Sequence, residues 1–418
     1  MRIVVHDYAG HPFQFDLSRT LASRGHEVAH VYFSGDQGPK GKVERSDADP
    51  DRFSIVPVSI GRPYAKAEFI ERRRNDRLYG HAAARAIRDL APDVVLSGNA
   101  PLDAQDMILK ASHESGAAFV NWIQDFYGLA IEKLLSHRWL GLGALVAAHY
   151  RALETRQFLD SDALILISDS FRPHLPGQLA ATPVTVIPNW GALADIPVRP
   201  KRNAWSLEHG LAERFVFLYS GTLGMKHNPG LLLALADAFA DSPEVCVVVA
   251  ASGVGRDRLA GELATAPRSN LKLMPLQPFD QFADLLGSSD VVVALLEKDA
   301  GEFSVPSKVQ SYLCSGRPIL LSAPSANLAV SSVVSEGAGE VAEPDDPAAF
   351  VAAAKRLYRD PELRLNAGAR GRAYAERTFD IERIADRFEE AFASALEARC
   401  AHGRSIRLPK LLELAPGA

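Results

Sequence analysis

The fold class is indicated by one stretch in the middle of the chain, Phe215-Val216-Phe217-Leu218-Tyr219-Ser220-Gly221-Thr222-Leu223-Gly224-Met225-Lys226. An apolar run opens it, and a segment with two glycines follows. Asn228 and Pro229, which come next, are typical of the first residues of a helix. Strand, glycine-containing turn and helix form the repeating unit of parallel α/β folds. The stretch therefore predicts an α/β protein.

The same alternation of short apolar runs and longer helical patterns continues on both sides of this stretch. Fully apolar runs separated by helices indicate parallel sheets that are covered on both faces. The runs are residues 3–5, 28–33, 53–58, 94–96, 118–122, 163–167, 184–187, 215–219, 245–250, 271–274, 291–296 and 318–321. We expect two Rossmann-like, doubly wound α/β domains that face a cleft.

The alternation breaks between residues 189 and 214, where Pro197 and Pro200 interrupt it. The break predicts a first domain over residues 1–190, a linker over 191–213 and a second domain over 214–380. A last helix, 381–400, is expected to pack back on the first domain, and 401–418 form a tail. Ligands of open parallel sheets bind beyond the carboxyl ends of the strands, so the loops after strands are the candidate sites.

Composition excludes several classes of protein. The 418 residues are 47% hydrophobic and 23% charged, with a net charge of −5, which argues against a dedicated nucleic-acid binder. Cys246, Cys314 and Cys400 are too far apart for a zinc site or a disulfide framework, and they fit a reducing compartment. No apolar run could span a membrane, and no metal-ligand spacing occurs. We expect a cytoplasmic protein that needs no metal or other cofactor.

Four loops after predicted strands could bind a ligand. In residues 220–226, two glycines and Lys226 precede a helix, as in a phosphate cradle; the alternative is a surface lysine in a turn. Gly10 lies between the first strand and the first helix. It could let a ligand approach the backbone closely, or it could belong to an ordinary turn. The other two loops hold Glu302 with Ser304, and Gln124 with Asp125. Either of these could equally be a capped helix with solvated charges.

Two further patterns bear on partners. Residues 251–255 resemble part of a dinucleotide fingerprint but lack its third glycine, which disfavours an NAD-dependent dehydrogenase. Arg72, Arg73 and Arg77 on a predicted helix, together with Trp139 in a leucine-rich stretch, are compatible with peripheral contact with the inner face of the cell membrane. Their alternative interpretation is a solvated helix face and a piece of core.

Four motifs in order carry a resemblance to a known family. They are residues 1–5 with the helix end Leu21-Ala22-Ser23-Arg24-Gly25-His26-Glu27-Val28, then Val186-Ile187-Pro188-Asn189-Trp190, then residues 219–226, and last Pro306-Ser307-Lys308-Val309-Gln310-Ser311-Tyr312-Leu313-Cys314-Ser315-Gly316-Arg317-Pro318. Over residues 1–398 the chain resembles the retaining glycosyltransferases of family four, which have the GT-B fold. It is similar to bacterial enzymes that build surface polysaccharides on lipid carriers.

The resemblance implies a metal-independent hexosyl- or N-acetylhexosaminyl-transferase. A nucleotide sugar, expected to be UDP-linked, would bind the second domain, and a glycan or polyprenyl-linked acceptor would bind the first. The implied catalytic residues are Lys226, Glu302 and Asp125. The implied donor-binding residues are Gly10, Gly221, Thr222, Gly224, Phe303, Ser304, Ser307, Lys308 and Ser311. The implied acceptor-side residues are His11 and Gln124.

The chain also departs from the family pattern. The second residue of the usual glutamate pair is replaced by Ser311, and Glu302 is out of register with the first. Thr222 stands where an arginine often precedes the phosphate-loop lysine, and Gln124 stands where a histidine is usual. Two other functions stay open on the sequence: a nucleotide-sugar epimerase of GT-B fold, and a non-catalytic GT-B-like scaffold.

Overall fold

The structure is a computed structural model that describes residues 1–35, 38–61, 69–135, 142–179, 182–224, 226–300 and 307–401. The described residues fall into two compact units. Unit 1 takes its residues from 1–36, 41–188 and 381–418, and unit 2 takes its residues from 37–40 and 189–380.

Strands and helices alternate along the described chain. The strands are β1 (Arg2–Asp7), β2 (Glu27–Phe33), β3 (Phe53–Val58), β4 (Val94–Gly98), β5 (Ala118–Ile123), β6 (Ala163–Leu166), β7 (Val184–Val186), β8 (Phe215–Thr222), β9 (Val245–Ser252), β10 (Leu271–Met274), β11 (Val291–Leu295), β12 (Ile319–Ser322) and β13 (Gly339–Ala342). The helices are α1 (Pro12–Ser23), α2 (Phe69–Leu90), α3 (Leu102–Glu114), α4 (Tyr127–Leu135), α5 (Leu142–Asp160), α6 (Ala204–Glu208), α7 (Gly230–Ala238), α8 (Val254–Thr265), α9 (Phe282–Gly287), α10 (Lys308–Cys314), α11 (Leu328–Glu336), α12 (Pro347–Arg359), α13 (Pro361–Thr378) and α14 (Ile381–Ala401).

Each unit is built on one parallel sheet, so the expectation of two parallel α/β domains is confirmed. Among the described residues, the sheet of unit 1 has the order β3-β2-β1-β4-β5-β6-β7, and that of unit 2 has the order β10-β9-β8-β11-β12-β13. Strand order reverses beside β1 in unit 1 and beside β8 in unit 2. Such reversals are the switch points where open α/β sheets bind ligands, which directs attention to the loops after β1, β4, β8 and β11.

Burial on both faces explains why these strands read as continuous apolar runs. Every residue of β11 is buried, and alternate residues of β8, β9 and β11 pack with helices α7 and α12 in the main core of unit 2. The corresponding core of unit 1 joins β1, β2, β4 and β5 to α2 and α3. The two sheets therefore give the loops at their carboxyl edges rigid supports.

Helix α14 belongs to unit 1 although it lies at the end of the chain. Its Phe388 ring meets the buried Trp122 ring of β5 edge to face at 4.9 Å. Near its other end, the buried Arg399 guanidinium lies 3.3 Å from the buried Asp162 carboxylate. Arg24 adds ion pairs to carboxylates on the first turns of the helix. An apolar contact and charged contacts thus fasten this helix along its length.

A predicted linker and an unpredicted strand are among the differences between the structure and the sequence predictions. Residues 191–213, expected to form a linker, lie in unit 2, where Trp205 is buried and Asn203 and Ser206 form a capping box at the start of α6. Strand β13 was not predicted, because Gly339 and Glu340 weaken its apolar pattern. Within the described ranges, no helix is both long and apolar enough to cross a membrane.

Candidate active site

The site of unit 2 begins inside strand β8 rather than after it. Gly221 and Thr222, predicted to lie in a loop, extend the strand because they stand opposite Ala251 and Ser252 of β9. The Tyr312 hydroxyl of α10 holds the neighbouring strand residue: it accepts from the Ser220 N–H at 3.0 Å and donates to the Ser220 carbonyl at 3.1 Å. The carboxyl end of β8 is therefore fixed to α10 across the switch point.

Lys308 reaches this strand end from the first position of α10. Its amino group donates to the Tyr219 hydroxyl at 2.7 Å and lies 4.3 Å from the centre of the Tyr219 ring. The Tyr219 hydroxyl in turn donates to the Thr222 carbonyl at 2.8 Å. Burial lowers the pKa of the Lys308 amine to about 7, because the charged form loses water.

Gly221 makes room for that amine. Its φ is +130°, which side chains rarely adopt, and a Cβ atom there would lie 3.3 Å from Cε of Lys308. The glycine thus has a definite steric role at the point where the sequence predicts close approach of a phosphate.

Two more glycines pack the next loop against this one. Gly253 has a φ of +100°, and the Gly255 N–H donates to the Leu223 carbonyl at 2.7 Å. A Cβ atom at Gly255 would also lie 2.7 Å from that carbonyl oxygen. The incomplete dinucleotide-like motif therefore has a packing role that accounts for both of its glycines.

His227 closes the turn that contains Gly224 and Lys226. Its Nδ1 accepts from the Gly224 N–H at 3.0 Å, and burial together with the charges of Lys308 and Lys226 lowers its pKa to about 2. The ring is therefore neutral at physiological pH. The Lys226 carbonyl accepts from the Glu297 N–H at 2.8 Å, which ties this turn to the residues after β11. Helix α7 begins at Gly230 with Pro229 as its N-cap residue, one position later than Asn228 as the N-cap would give, and the Asn228 side chain accepts from the Gly230 N–H at 2.9 Å.

The remaining predicted residues of the second domain are placed as follows. Ser307 is exposed immediately before α10, and Ser311 is partly buried within that helix. Glu302, Phe303 and Ser304 lie outside the described residues. Unit 2 thus brings Gly221, Thr222, Gly224, Lys226 and Lys308 together at its switch point.

In unit 1, the loop after β1 is organised by Asp7. Its carboxylate accepts from the backbone N–H groups of Ala9 and His11 and lies 2.9 Å from Nδ1 of His11. Burial alone would raise the pKa of Asp7, but the charge and hydrogen bonds of His11 outweigh it and lower the pKa to about 2. Gly10 has a φ of +77°, and its carbonyl accepts from Gly41. His11 and Gly10 are therefore held in one fixed turn.

A buried chain of hydrogen-bonded side chains, here called the relay, crosses the same edge of the unit 1 sheet. The sequence analysis did not predict it. His6 contacts the Tyr79 hydroxyl and the Ser97 hydroxyl, each at 2.8 Å. Ser97 continues to Gln105 at 2.6 Å, and Gln105 donates to Asn121 at 3.1 Å. Burial lowers the pKa of His6 to about 4, so the relay is uncharged.

Gln124 and Asp125 line a small polar cavity of about 30 Å³ after β5. Asn99, Asn121 and Glu154 are among its other lining residues. Burial raises the pKa of Glu154 to about 7, although its Oε1 accepts from the Gly128 N–H at 2.9 Å. The cavity is large enough for about two ordered waters and offers amide and carboxyl groups to a hydroxyl-rich ligand at its mouth.

The basic residues of α2 differ in their surroundings. Arg73 lies 3.4 Å from the Asp103 carboxylate, and Arg72 lies 3.8 Å from Asp76. Arg72 and Arg77 are exposed, whereas Trp139 lies outside the described residues. In the part of the chain that the structure covers, no three His, Cys, Asp or Glu side chains come together as ligands for a metal ion.

Long-range contacts explain which of these residues the sequence analysis missed. Tyr219 and Lys308 are 89 positions apart, and Ser220 and Tyr312 are 92 positions apart. Both tyrosines look like ordinary core residues of a strand and a helix. The signal that could have found them is the coincidence of a strand end and a helix start at one switch point.

The sequence is similar to known glycosyltransferases. Residues 14–190 match the model of Glycosyltransferase Family 4. A relative described as "Putative colanic acid biosynthesis glycosyl transferase WcaI", from Escherichia coli (strain K12), is 28% identical over 282 residues, which are 66% of this chain and 67% of the relative.

Solved structures share the fold over nearly the whole chain. Sucrose-phosphate synthase from Thermosynechococcus elongatus matches with a TM-score of 0.70 at 15% identity, covering 95% of this chain and all of that one. HepE of Anabaena in complex with UDP-glucose matches with a TM-score of 0.65 at 15% identity, covering 94% of this chain and all of that one. These likenesses show the fold, which is that of the GT-B glycosyltransferases.

Proposed function

We propose that this chain, whose residues 14–190 match the model of Glycosyltransferase Family 4, is a glycosyltransferase that transfers a sugar from a UDP-linked donor to a glycan or lipid-linked acceptor with retention of anomeric configuration. The observation that carries the proposal is the strand end of unit 2, where Gly221, Gly224, Lys226 and Lys308 meet at the switch point. Glycine turns and lysines in this position suit a diphosphate.

In the proposed reaction the bond between the anomeric carbon and the diphosphate oxygen breaks, and a bond to the acceptor oxygen forms on the same face. The acceptor proton passes to the departing diphosphate, so no protein base is needed. Lys226 and backbone N–H groups stabilise the charge that develops on the leaving group. We propose that this stabilisation replaces a metal ion and that the enzyme needs no other cofactor.

The donor and acceptor residues follow from the same proposal. On the donor side, Thr222, Ser307 and Ser311 supplement the glycines and lysines, and Glu302, Phe303 and Ser304 face the sugar. On the acceptor side, unit 1 contributes Gly10 and His11 after β1, and Gln124 and Asp125 at the polar cavity after β5. The fixed turn at Asp7 and the amide-rich cavity support these assignments, because both offer preorganised polar groups at the carboxyl edge of the sheet.

Two likenesses support the donor and the pathway. The Anabaena structure of the same fold was solved with UDP-glucose, and the WcaI relative is named for colanic acid biosynthesis. We therefore propose a role in polysaccharide biosynthesis, on the cytoplasmic side of the membrane. Peripheral contact through the exposed Arg72 and Arg77 is part of this proposal.

Turnover with and without acceptor tests the function. The protein is incubated with UDP-glucose, UDP-N-acetylglucosamine and GDP-mannose, each alone and each with a lipid extract of bacterial membranes. A transferase releases nucleoside diphosphate faster when the extract is present, and the sugar appears in the lipid fraction.

The other outcomes identify the alternatives. Conversion of one nucleotide sugar into another without extract would replace the transferase with an epimerase. Binding of a nucleotide sugar with no conversion under either condition would favour a scaffold and contradict the proposal.

A further inference from the structure

The Lys308 amine has no ionic partner among the residues that the structure describes. Its amino group contacts the Tyr219 hydroxyl and ring, and no carboxylate among the described residues pairs with it. Removing an ammonium group from water without pairing it is costly, and the lowered pKa of Lys308 reflects that cost. The strand end therefore holds a site that an anion would stabilise.

The groups packed around this amine leave its charge unbalanced. Burial raises the pKa values of Tyr219 and Tyr312, so both phenols stay neutral. His227 is also neutral, for the reasons given above, and its lowered pKa records the influence of both Lys308 and Lys226. The carboxylate after β11, Glu297, has a raised pKa because of burial and the charge of Asp299.

The Lys308 amine lies directly beside the last residues of β8. The Tyr219 hydroxyl joins the Lys308 amine to the Thr222 carbonyl. Because Gly221 has no side chain, a ligand can approach the backbone beside the Lys308 amine. Lys308 thus brings an amine from a different element to the end of β8.

We propose that the Lys308 amine takes up a proton when the diphosphate binds at the end of β8, and that the resulting ammonium group pairs with the diphosphate. The proposal rests on the proposed function, because it presumes a nucleoside diphosphate group in unit 2. It adds that donor and product binding are coupled to proton uptake at one residue.

The direction of the coupling follows from the charges. Above pH 7 the free protein holds Lys308 largely neutral, and an anion that pairs only with the ammonium form must bind together with a proton. Affinity then falls as pH rises, by up to about tenfold per pH unit, until the amine of the complex itself loses its proton. Between pH 7.5 and 9 a terminal phosphate, with a second pKa of about 6, is fully ionised and adds no proton of its own.

Titration calorimetry on the full-length protein measures both quantities. UDP, GDP and ADP are titrated at pH 7.5, 8.25 and 9, at each pH in two buffers that differ in ionisation enthalpy. Uridine, which lacks the diphosphate, is the ligand control. We expect an uptake of more than half a proton per bound diphosphate at pH 8.25, and an affinity at least fivefold weaker at pH 9 than at pH 7.5.

Two variants separate charge from structure. Lys308→Arg keeps a cation that does not titrate in this range, so it should bind with a pH dependence below twofold and without proton uptake. Lys308→Met should bind at least tenfold more weakly at pH 7.5. Lys272→Met, which removes an exposed lysine of β10 that donates to the His209 carbonyl, is the matched control and should behave as the wild type.

The outcomes distinguish the two levels of the proposal. If none of the three diphosphates binds, the proposed function fails and this inference falls with it. If the wild type binds one of them without proton uptake and with equal affinity at pH 7.5 and 9, the function survives and the role of Lys308 is overturned. The wild-type measurement decides this even if a variant does not fold.

Discussion

Lys226 is the residue on which the proposed chemistry depends most. It follows the turn that His227 closes, and its carbonyl is fixed by Glu297. Changing Lys226 to Ala should lower turnover on the order of a hundredfold, because one preorganised charge that stabilises a leaving group has an effect of that size. The melting temperature should change little. Lys272→Ala is the control, and a turnover of Lys226→Ala within twofold of wild type would refute the assigned role.

Gly221 allows a test of steric approach that leaves charge untouched. Alanine there meets both the unfavourable φ of +130° and Cε of Lys308, so Gly221→Ala should weaken diphosphate binding at least tenfold. A Cβ atom at Gly261 of helix α8 would meet nothing within 4 Å, so Gly261→Ala should bind normally and raise stability by about 0.5–1 kcal/mol. Equal diphosphate affinities of the two variants, measured by calorimetry, would show that Gly221 has no special role.

At the residue level, the sequence alone groups only part of this candidate site. Gly221, Gly224 and Lys226 stand out because they are close in sequence and follow an apolar run. The bond from Lys308 to Tyr219 joins residues 89 positions apart, and only the folded sheet brings them together. Local pattern therefore marks a loop, whereas the partners that give its groups their charge state come from elsewhere.

At the scale of elements, α14 stabilises unit 1 through its contacts with Trp122 and Asp162. Asp162 also accepts from the Phe119 N–H and lies 3.1 Å from Nε2 of His113, so Arg399→Leu removes one of several partners of this buried carboxylate. The variant should cost about 2 kcal/mol and lower the melting temperature of unit 1 by several degrees. Arg85 lies 3.9 Å from Asp89 with both side chains exposed, so Arg85→Ala should change stability by less than about 0.5 kcal/mol. Scanning calorimetry compares the two. Equal melting temperatures would mean that α14 contributes nothing through Arg399.

Helix α2 carries the prediction of membrane contact. Exposed Arg72 and Arg77 should attract anionic headgroups, so the double variant Arg72→Gln/Arg77→Gln should bind less protein to vesicles that contain phosphatidylglycerol. Sedimentation with these vesicles measures the bound fraction, and vesicles of phosphatidylcholine are the control. Unchanged binding of the variant, or equal binding of the wild type to both vesicles, would remove α2 from the proposal.

The apolar runs predicted which strands exist better than they predicted where those strands end. Residues 53–58 and 271–274 match β3 and β10 because turn residues bound those runs on both sides. Strand β8 extends to Thr222, three residues beyond its apolar run, because pairing with β9 continues through small polar residues. Pairing with a neighbouring strand, which no local pattern records, decides where such a strand ends.

At the scale of the whole molecule, two sheets with related strand orders arise from one alternating pattern. The sequence is sufficient for the fold class because both sheets are buried on both faces and therefore read as apolar runs. It is insufficient for the limits of the units: residues 191–213 read as a linker but lie in unit 2. Tertiary contacts of Trp205 and Asn203, rather than periodicity, place them there.

Each role proposed for unit 2 requires that it bind a nucleoside diphosphate group at the end of β8. The most direct test is the melting temperature of the purified protein with UDP, GDP, ADP, CMP and NAD in turn. A ligand at about 100 times its dissociation constant adds roughly 2.7 kcal/mol of stability, which raises the midpoint measurably. We predict a rise with one nucleoside diphosphate, which we expect to be UDP, and none with NAD. A rise with NAD alone, or with none of the five, would contradict this prediction.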